Sequence, residues 1–344
     1  MMMTATAEEL RRRRYQIAPQ MRDYDLLEEK QWLPYVMIFH PPGLKTASFS
    51  TDSEGFRITW RRQQALSLAE YQRAEGPRAV VIGGSAAFGV GASSDRGTLA
   101  SVLNESGDRV WFNFAGRGFN STQELLLFML HLPPDIKTVL LFTGINNLVL
   151  SFLSESTSPV YNSFYAQSVF ERGLQTGEAT GMQGSFRLLM REIAQRLVPP
   201  PRSGSSKPAG RREAYEQVLA CFQRDMRLWA LLREAMGFDL YFAFQPMAPW
   251  TKKALSPEEH ELFSILDSGS GQQGWDQISG YLEEQKKDYT ADVRRVCEER
   301  RVPFLDLNQN PGMARPDWLF VDRAHLTDGG YRRVAEIVRG EFSL

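Results

Sequence analysis

Apolar residues along this chain fall into two alternating kinds of stretch. Five short runs, at 78–82, 110–114, 138–143, 239–244 and 302–307, are rich in Val, Leu, Ile and Phe without alternation of apolar and polar positions. Strands covered on both faces read this way. Between and after them, apolar residues recur at helical spacing over 98–103, 121–132, 182–197, 212–236, 281–300 and 328–338. Strand and helix in alternation predict an α/β fold, a parallel sheet with helices on both faces. Ser121 and Glu124 have the spacing of a capping box for the helix that follows Asn120.

Three stretches stand outside this rhythm. Residues 1–76 precede the first core strand and are expected to form an extension that packs on the main domain, 77–344, which carries insertions at about 154–212 and 246–280. The first insertion contains PPPRSGSSKPAG at 199–210, a flexible loop by composition. The second places Trp250, Phe263 and Trp275 among Ser, Gly and Gln, with room for a short helix over 257–266 and a loose SGSGQQG at 268–274. Large aromatics are costly to leave exposed, so this insertion is expected to be a substrate-binding lid; the alternative is an excursion whose aromatics pack on the core.

Composition narrows the partners. Lys+Arg number 40 and Asp+Glu 41, for a formal net charge of -1, so no global field draws the chain to nucleic acid or to an anionic membrane. The run Arg11 to Arg14 reads as the solvated face of a leading helix. Cys221 and Cys297 lie apart, neither with a Cys or His at metal-ligand spacing, and are expected to be buried thiols. The first residues, MMMTATAEELRRRR, lack an apolar segment behind their charges, and no run of 18 apolar residues occurs. No stable membrane insertion is expected, and a cytoplasmic location is the default.

The candidate chemistry lies in VVIGGSAAFGVGASS, residues 80–94, where a strand enters a glycine-rich turn. A dinucleotide site would need an acidic residue near the end of the next strand, and that strand ends in Asn113-Phe114-Ala115-Gly116. A phosphate loop of the Walker type would need a lysine after the glycines, and none follows. A serine lifted into a cleft gains partners instead at each later strand end: Gly118 after the second strand, Asn146 after the third, and Asp322 and His325 before the last helix.

In this order and at these strand ends the chain resembles the SGNH/GDSL hydrolases, whose four marks would fall on Ser85, Gly118, Asn146 and His325, over roughly residues 78–338. The resemblance implies a flavodoxin-like three-layer sandwich with a five-stranded parallel sheet of order 2-1-3-4-5, and a site at the carboxyl ends of the strands. It also implies a serine esterase acting on a small-molecule acyl ester, with no metal and no organic cofactor. The residue types fit that chemistry. A serine hydroxyl needs a neutral imidazole to take its proton, and the imidazole needs a carboxylate to fix its tautomer, roles for His325 and Asp322. The charge that develops on the carbonyl oxygen needs donors already in place: the N–H groups of Ser85 and Gly118 and the amide of Asn146, each worth ~3 kcal/mol in the transition state. His40, His131 and His260 lack a carboxylate three residues earlier and are read as structural.

Two departures accompany the resemblance. The usual Gly-Asp-Ser is Gly83-Gly84-Ser85 here, and Asn147 stands where the family often has Asp. Residues 51–57, TDSEGFR, resemble a segment found ahead of the core in many bacterial members and are expected to pack onto it near the site. The alcohol and acyl parts of the ester stay open, as do two other readings, an acyltransferase with the same residues and an inactive binding module.

Overall fold

The computed structural model describes residues 6–27, 31–33, 37–153, 211–268 and 272–344. Nine strands are described: β1 (Gln31–Leu33), β2 (Met37–Phe39), β3 (Thr59–Arg61), β4 (Gln64–Leu66), β5 (Arg78–Gly83), β6 (Val110–Ala115), β7 (Ile136–Thr143), β8 (Asp239–Phe244) and β9 (Phe304–Asp306). The first four form two antiparallel pairs ahead of the core. The last five form one parallel sheet of order β6-β5-β7-β8-β9. Counted from β5, that is the expected order 2-1-3-4-5, with helices on both faces.

Both faces of the sheet are apolar, which is why the sequence shows runs rather than alternation. Val80 and Ile82 of β5, Phe112 and Phe114 of β6 and Phe242 and Phe244 of β8 face one core, with Phe128, Met226, Trp229 and Val293 from the helices over it. Ala79 and Val81 of β5, Trp111 of β6 and Leu140 and Phe142 of β7 face the other, under Leu99, Tyr331, Val334 and Val338. All these side chains are buried.

Ahead of β5, residues 51–57 pack next to the glycine-rich turn. Arg57, 1% exposed, donates from Nε to Asp95 Oδ1 at 2.8 Å, from Nη1 to the carbonyls of Phe88 and Gly89, and from Nη2 to Ser48 O. Its guanidinium lies among the rings of Tyr24, Phe49 and Phe88. Asp52 accepts from the N–H groups of Glu54, Phe56 and Leu68, closing the turn that delivers Arg57.

Several boundaries move. The helix after Asn120 spans Ser121–Leu130, and its capping box is Asn120 with Gln123, one residue earlier than the Ser121 and Glu124 pair; those two side chains are buried and bonded to Asp225 and Thr143 instead. The helix expected from 281 begins at Gln272 and runs to Glu299. Gly274 and Gly280 made its first turns read as loop, but the partly buried Ile278 continues the apolar stripe onto the core. Cys297 is buried and Cys221 only half-buried. Of the Arg11 to Arg14 run, Arg11, Arg12 and Arg13 are exposed, Arg13 pairing with Glu261, whereas the half-buried Arg14 pairs with Asp25 at 2.7 Å. The expected helix at 182–197, the loop at 199–210 and nearly all of the first insertion lie outside the described residues. Among the described residues no helix is long and apolar enough to cross a membrane.

Candidate active site

β5 ends at Gly83, and Ser85 opens the short helix Ser85–Phe88 immediately beyond. As the first residue of that helix Ser85 has no intrahelical acceptor for its N–H, and that N–H meets no backbone acceptor among the described residues. Ser85 Oγ is 2.8 Å from His325 Nε2, across 240 positions of sequence. His325 Nδ1 lies 2.8 Å from Asp322 Oδ2 and 3.0 Å from Oδ1. A carboxylate can only accept, so Nδ1 carries the imidazole proton and the lone pair of Nε2 faces the serine hydroxyl.

The loop bearing the two residues is tightly held. Asp322 Oδ1 accepts from the N–H groups of Ala324 and His325 at 2.8 Å each, and Val321 N–H donates to His325 O at 3.0 Å. Burial pushes the Asp322 carboxyl up, but the charge and hydrogen bond of His325 and the Ala324 N–H outweigh it and hold the group down to about 2. Asp322 is therefore a carboxylate throughout the neutral range.

Gly118 follows β6 and Asn146 follows β7, so the carboxyl ends of three adjacent strands gather Ser85, Gly118 and Asn146 on one edge of the sheet. Gly118 has φ +79°, a conformation that disfavours a side chain although nothing lies within 4 Å of where a Cβ would stand. The glycine is thus set by backbone shape, and it is exposed. Its N–H meets no backbone acceptor among the described residues. Asn146, on the first turn of the helix Ile145–Leu153, donates one Nδ2 hydrogen to Phe119 O at 2.7 Å, which leaves the second N–H of that amide for the cleft. Ser85 and Asn146 are half-buried between buried neighbours, and Asp322 and His325 are half-buried with the two residues between them.

The model of the GDSL-like lipase/acylhydrolase family matches residues 81–333. The chain belongs to this family. As a GDSL family member it is a carboxylic ester hydrolase by class. No curated protein matches it by sequence. Among solved structures it is similar to the acetyl xylan esterase AlAXEase, at 12% identity over 76% of this chain and 98% of that one, with a TM-score of 0.39. It is also similar to an extracellular lipase from Streptomyces rimosus, at 12% identity over 77% and 99% with a TM-score of 0.39. LAE5, an α/β hydrolase from the metagenome of Lake Arreo, Spain, aligns at 10% identity over 79% and 98% with a TM-score of 0.40.

Both departures from the usual GDSL pattern have local causes. A Cβ at Gly84 would stand 2.4 Å from Asn146 Nδ2, so the asparagine amide fills the space that a side chain at 84 would take. Asn147 accepts the Ser121 N–H at 3.0 Å and donates to Ser121 Oγ at 2.8 Å, while Ser121 Oγ donates its single proton to Asp225 Oδ2 at 2.8 Å. An aspartate at 147 would put a second acceptor on a hydroxyl whose proton is already committed. Asp225, 0% exposed and on the helix Arg211–Met236, thereby dictates the amide at 147. Sequence reading missed Asp225, because a carboxylate on a long polar helix carries no mark of burial.

The expected aromatic lid is a correction. Trp250 is 1% exposed in a short turn, Ala248–Trp250, with its ring against Phe244 and the Lys286 ammonium over it. Phe263 is buried and faces the Arg323 guanidinium. Trp275 falls in the first turn of the helix from Gln272, and its side chain lies outside the described residues. Trp250 and Phe263 offer no stacking face to a ligand because the core has consumed both. The segment instead braces the Asp322–His325 loop: Glu259 Oε1 accepts the N–H groups of Leu319 and Phe320, Asp267 pairs with Arg323, and Ala248 N–H donates to Arg323 O. Of the other histidines, His40 Nε2 accepts the Arg117 N–H at 3.3 Å, and His131 packs edge-on against Phe56. Among the described residues no group of three His, Cys, Asp or Glu could hold a metal ion.

Proposed function

We propose that this GDSL hydrolase cleaves a small carboxylic ester through an acyl-Ser85 intermediate, with His325 as general base and acid and Asp322 as its orienting partner. The reading rests on one observation, the continuous hydrogen-bonded path from Ser85 Oγ through His325 to Asp322. His325 Nε2 takes the hydroxyl proton as Oγ bonds to the carbonyl carbon. The resulting oxyanion is met by the N–H groups of Ser85 and Gly118 and by Asn146 Nδ2. As the C–O bond to the alcohol breaks, the imidazolium returns its proton to the leaving oxygen. A water then repeats the sequence on the acyl-enzyme, releasing the acid and free Ser85.

Two variants probe the oxyanion donors. Asn146→Ala is expected to lower kcat ~100-fold or more with little change in KM, since the lost donor serves charge that exists only in the transition state. An effect confined to KM would make Asn146 a binding residue. Restoring the family's usual aspartate by Gly84→Asp is expected to lower kcat as well, because its Cβ displaces the Asn146 amide. A Gly84→Asp protein as active as the parent would show that Asn146 does not need its present position. The overall test is a series of p-nitrophenyl esters of graded chain length, with and without acceptor alcohols. Acid release that added alcohol leaves unchanged supports hydrolysis, whereas ester formation with the alcohol at the expense of acid would favour acyl transfer.

A further inference from the structure

Among the described residues, arginines near the site have carboxylate partners with one exception. Arg14 pairs with Asp25, Arg57 with Asp95 and Arg323 with Asp267. Arg117 is half-buried like Arg323, yet its guanidinium makes one hydrogen bond, from Nη2 to the backbone carbonyl of Tyr24 at 3.1 Å. No carboxylate lies within ion-pair distance of it among the described residues. The main charge acting on it is that of Asp25, already engaged by Arg14. Burial pushes the Arg117 pKa down, the sign of a guanidinium short of counter-charge. Guanidiniums taken out of water normally have a planar anion to receive their donors, and this one has a neutral oxygen on one nitrogen.

The position gives that deficit a use. Arg117 immediately precedes Gly118, the glycine expected to face the oxyanion, and its own N–H is tied to His40 Nε2. The guanidinium is anchored on Tyr24 O, one residue before Asp25, and Asp25 is within electrostatic range of both Arg117 and Asp322. Trp250 and Phe263, two of the aromatics expected to hold the substrate, are buried, so an apolar grip is not what they offer.

We infer that Arg117 is an anion subsite, and that the preferred ester carries a carboxylate or phosphate a few bonds from its scissile carbonyl. The inference rests on the Ser85 reading above and names the substrate class for it. Four of the five guanidinium N–H groups remain, enough for a bidentate pair with such a group, while Tyr24 O holds the plane.

The test compares matched esters by kcat/KM. On the acyl side, p-nitrophenyl hemiglutarate is set against p-nitrophenyl valerate; on the alcohol side, 4-acetoxybenzoate and 4-acetoxyphenyl phosphate are set against methyl 4-acetoxybenzoate. The expected result is a preference of about tenfold or more for at least one anionic ester over its neutral match, falling with added salt. The same anionic-to-neutral ratio should collapse towards one in Arg117→Met and recover in part in Arg117→Lys. Asp25→Asn, which leaves Arg117 in place and removes the nearby negative charge, should raise the ratio. A ratio near one on both sides in the parent, or a preference that persists in Arg117→Met, would overturn the subsite. Ester hydrolysis that survives Ser85→Ala would overturn the Ser85 reading instead, whatever the ratio.

Discussion

Replacing Ser85 by alanine is expected to reduce ester hydrolysis to on the order of 10⁻⁴ of the parent rate or less, because no other group can form the acyl intermediate and only the oxyanion donors remain. Among the described residues the only side-chain bond of Ser85 is to His325, so the melting temperature should stay within a few degrees of the parent. The loss would then be chemical rather than structural. Measured by initial rates on a p-nitrophenyl acetate or butyrate, residual activity above a hundredth of the parent would place the nucleophile elsewhere.

The second large effect is expected at Asp322. Asn in its place can present an amide donor to His325 Nδ1, which favours the tautomer with a proton on Nε2, where a lone pair must meet Ser85. A fall in kcat on the order of 10³-fold, with KM within a few-fold, follows from a defect in proton transfer rather than in binding. A mild phenotype would remove Asp322 from the mechanism. Stability offers an independent reading. The folded-state pKa is lowered from 3.8 to about 2, so ionised Asp322 stabilises the protein above pH 3.8 and that contribution is lost as pH falls towards 2. Thermal melts of Asp322→Asn should therefore lose less stability than the parent between those two values.

The sheet and the four residues around Ser85 were legible because both follow from placement at strand ends. Doubly buried strands leave unbroken apolar runs, and a serine, a glycine and an asparagine each following a different run converge once adjacent strands are parallel. The pairing of Asp322 with His325 was legible too, from a three-residue spacing that one turn closes. The function of 246–280 was not. Trp250 and Phe263 among polar residues look the same whether they cap a ligand or fill a core, and only the brace from Glu259 and Asp267 to the loop at 319–323 separates the two. Likewise, the polar anchors beneath the asparagine helix, Asp225 and Glu124, stand in helical sequence as ordinary surface charges. Burial raises Glu124 to about 8, and Thr143 donates to it, so it sits in the interior largely protonated at neutral pH. Long-range partners of this kind carry no spacing signal.

The most direct measurement is the site of covalent modification by a p-nitrophenyl alkylphosphonate, a tetrahedral mimic of the acyl-transfer state, read by intact mass and peptide mapping. One adduct per chain, located on Ser85, absent from Ser85→Ala and formed far more slowly in Asp322→Asn, is the result expected of an acyl-Ser85 hydrolase. Stoichiometric labelling of another residue, or equal labelling of the Ser85→Ala protein, would contradict it.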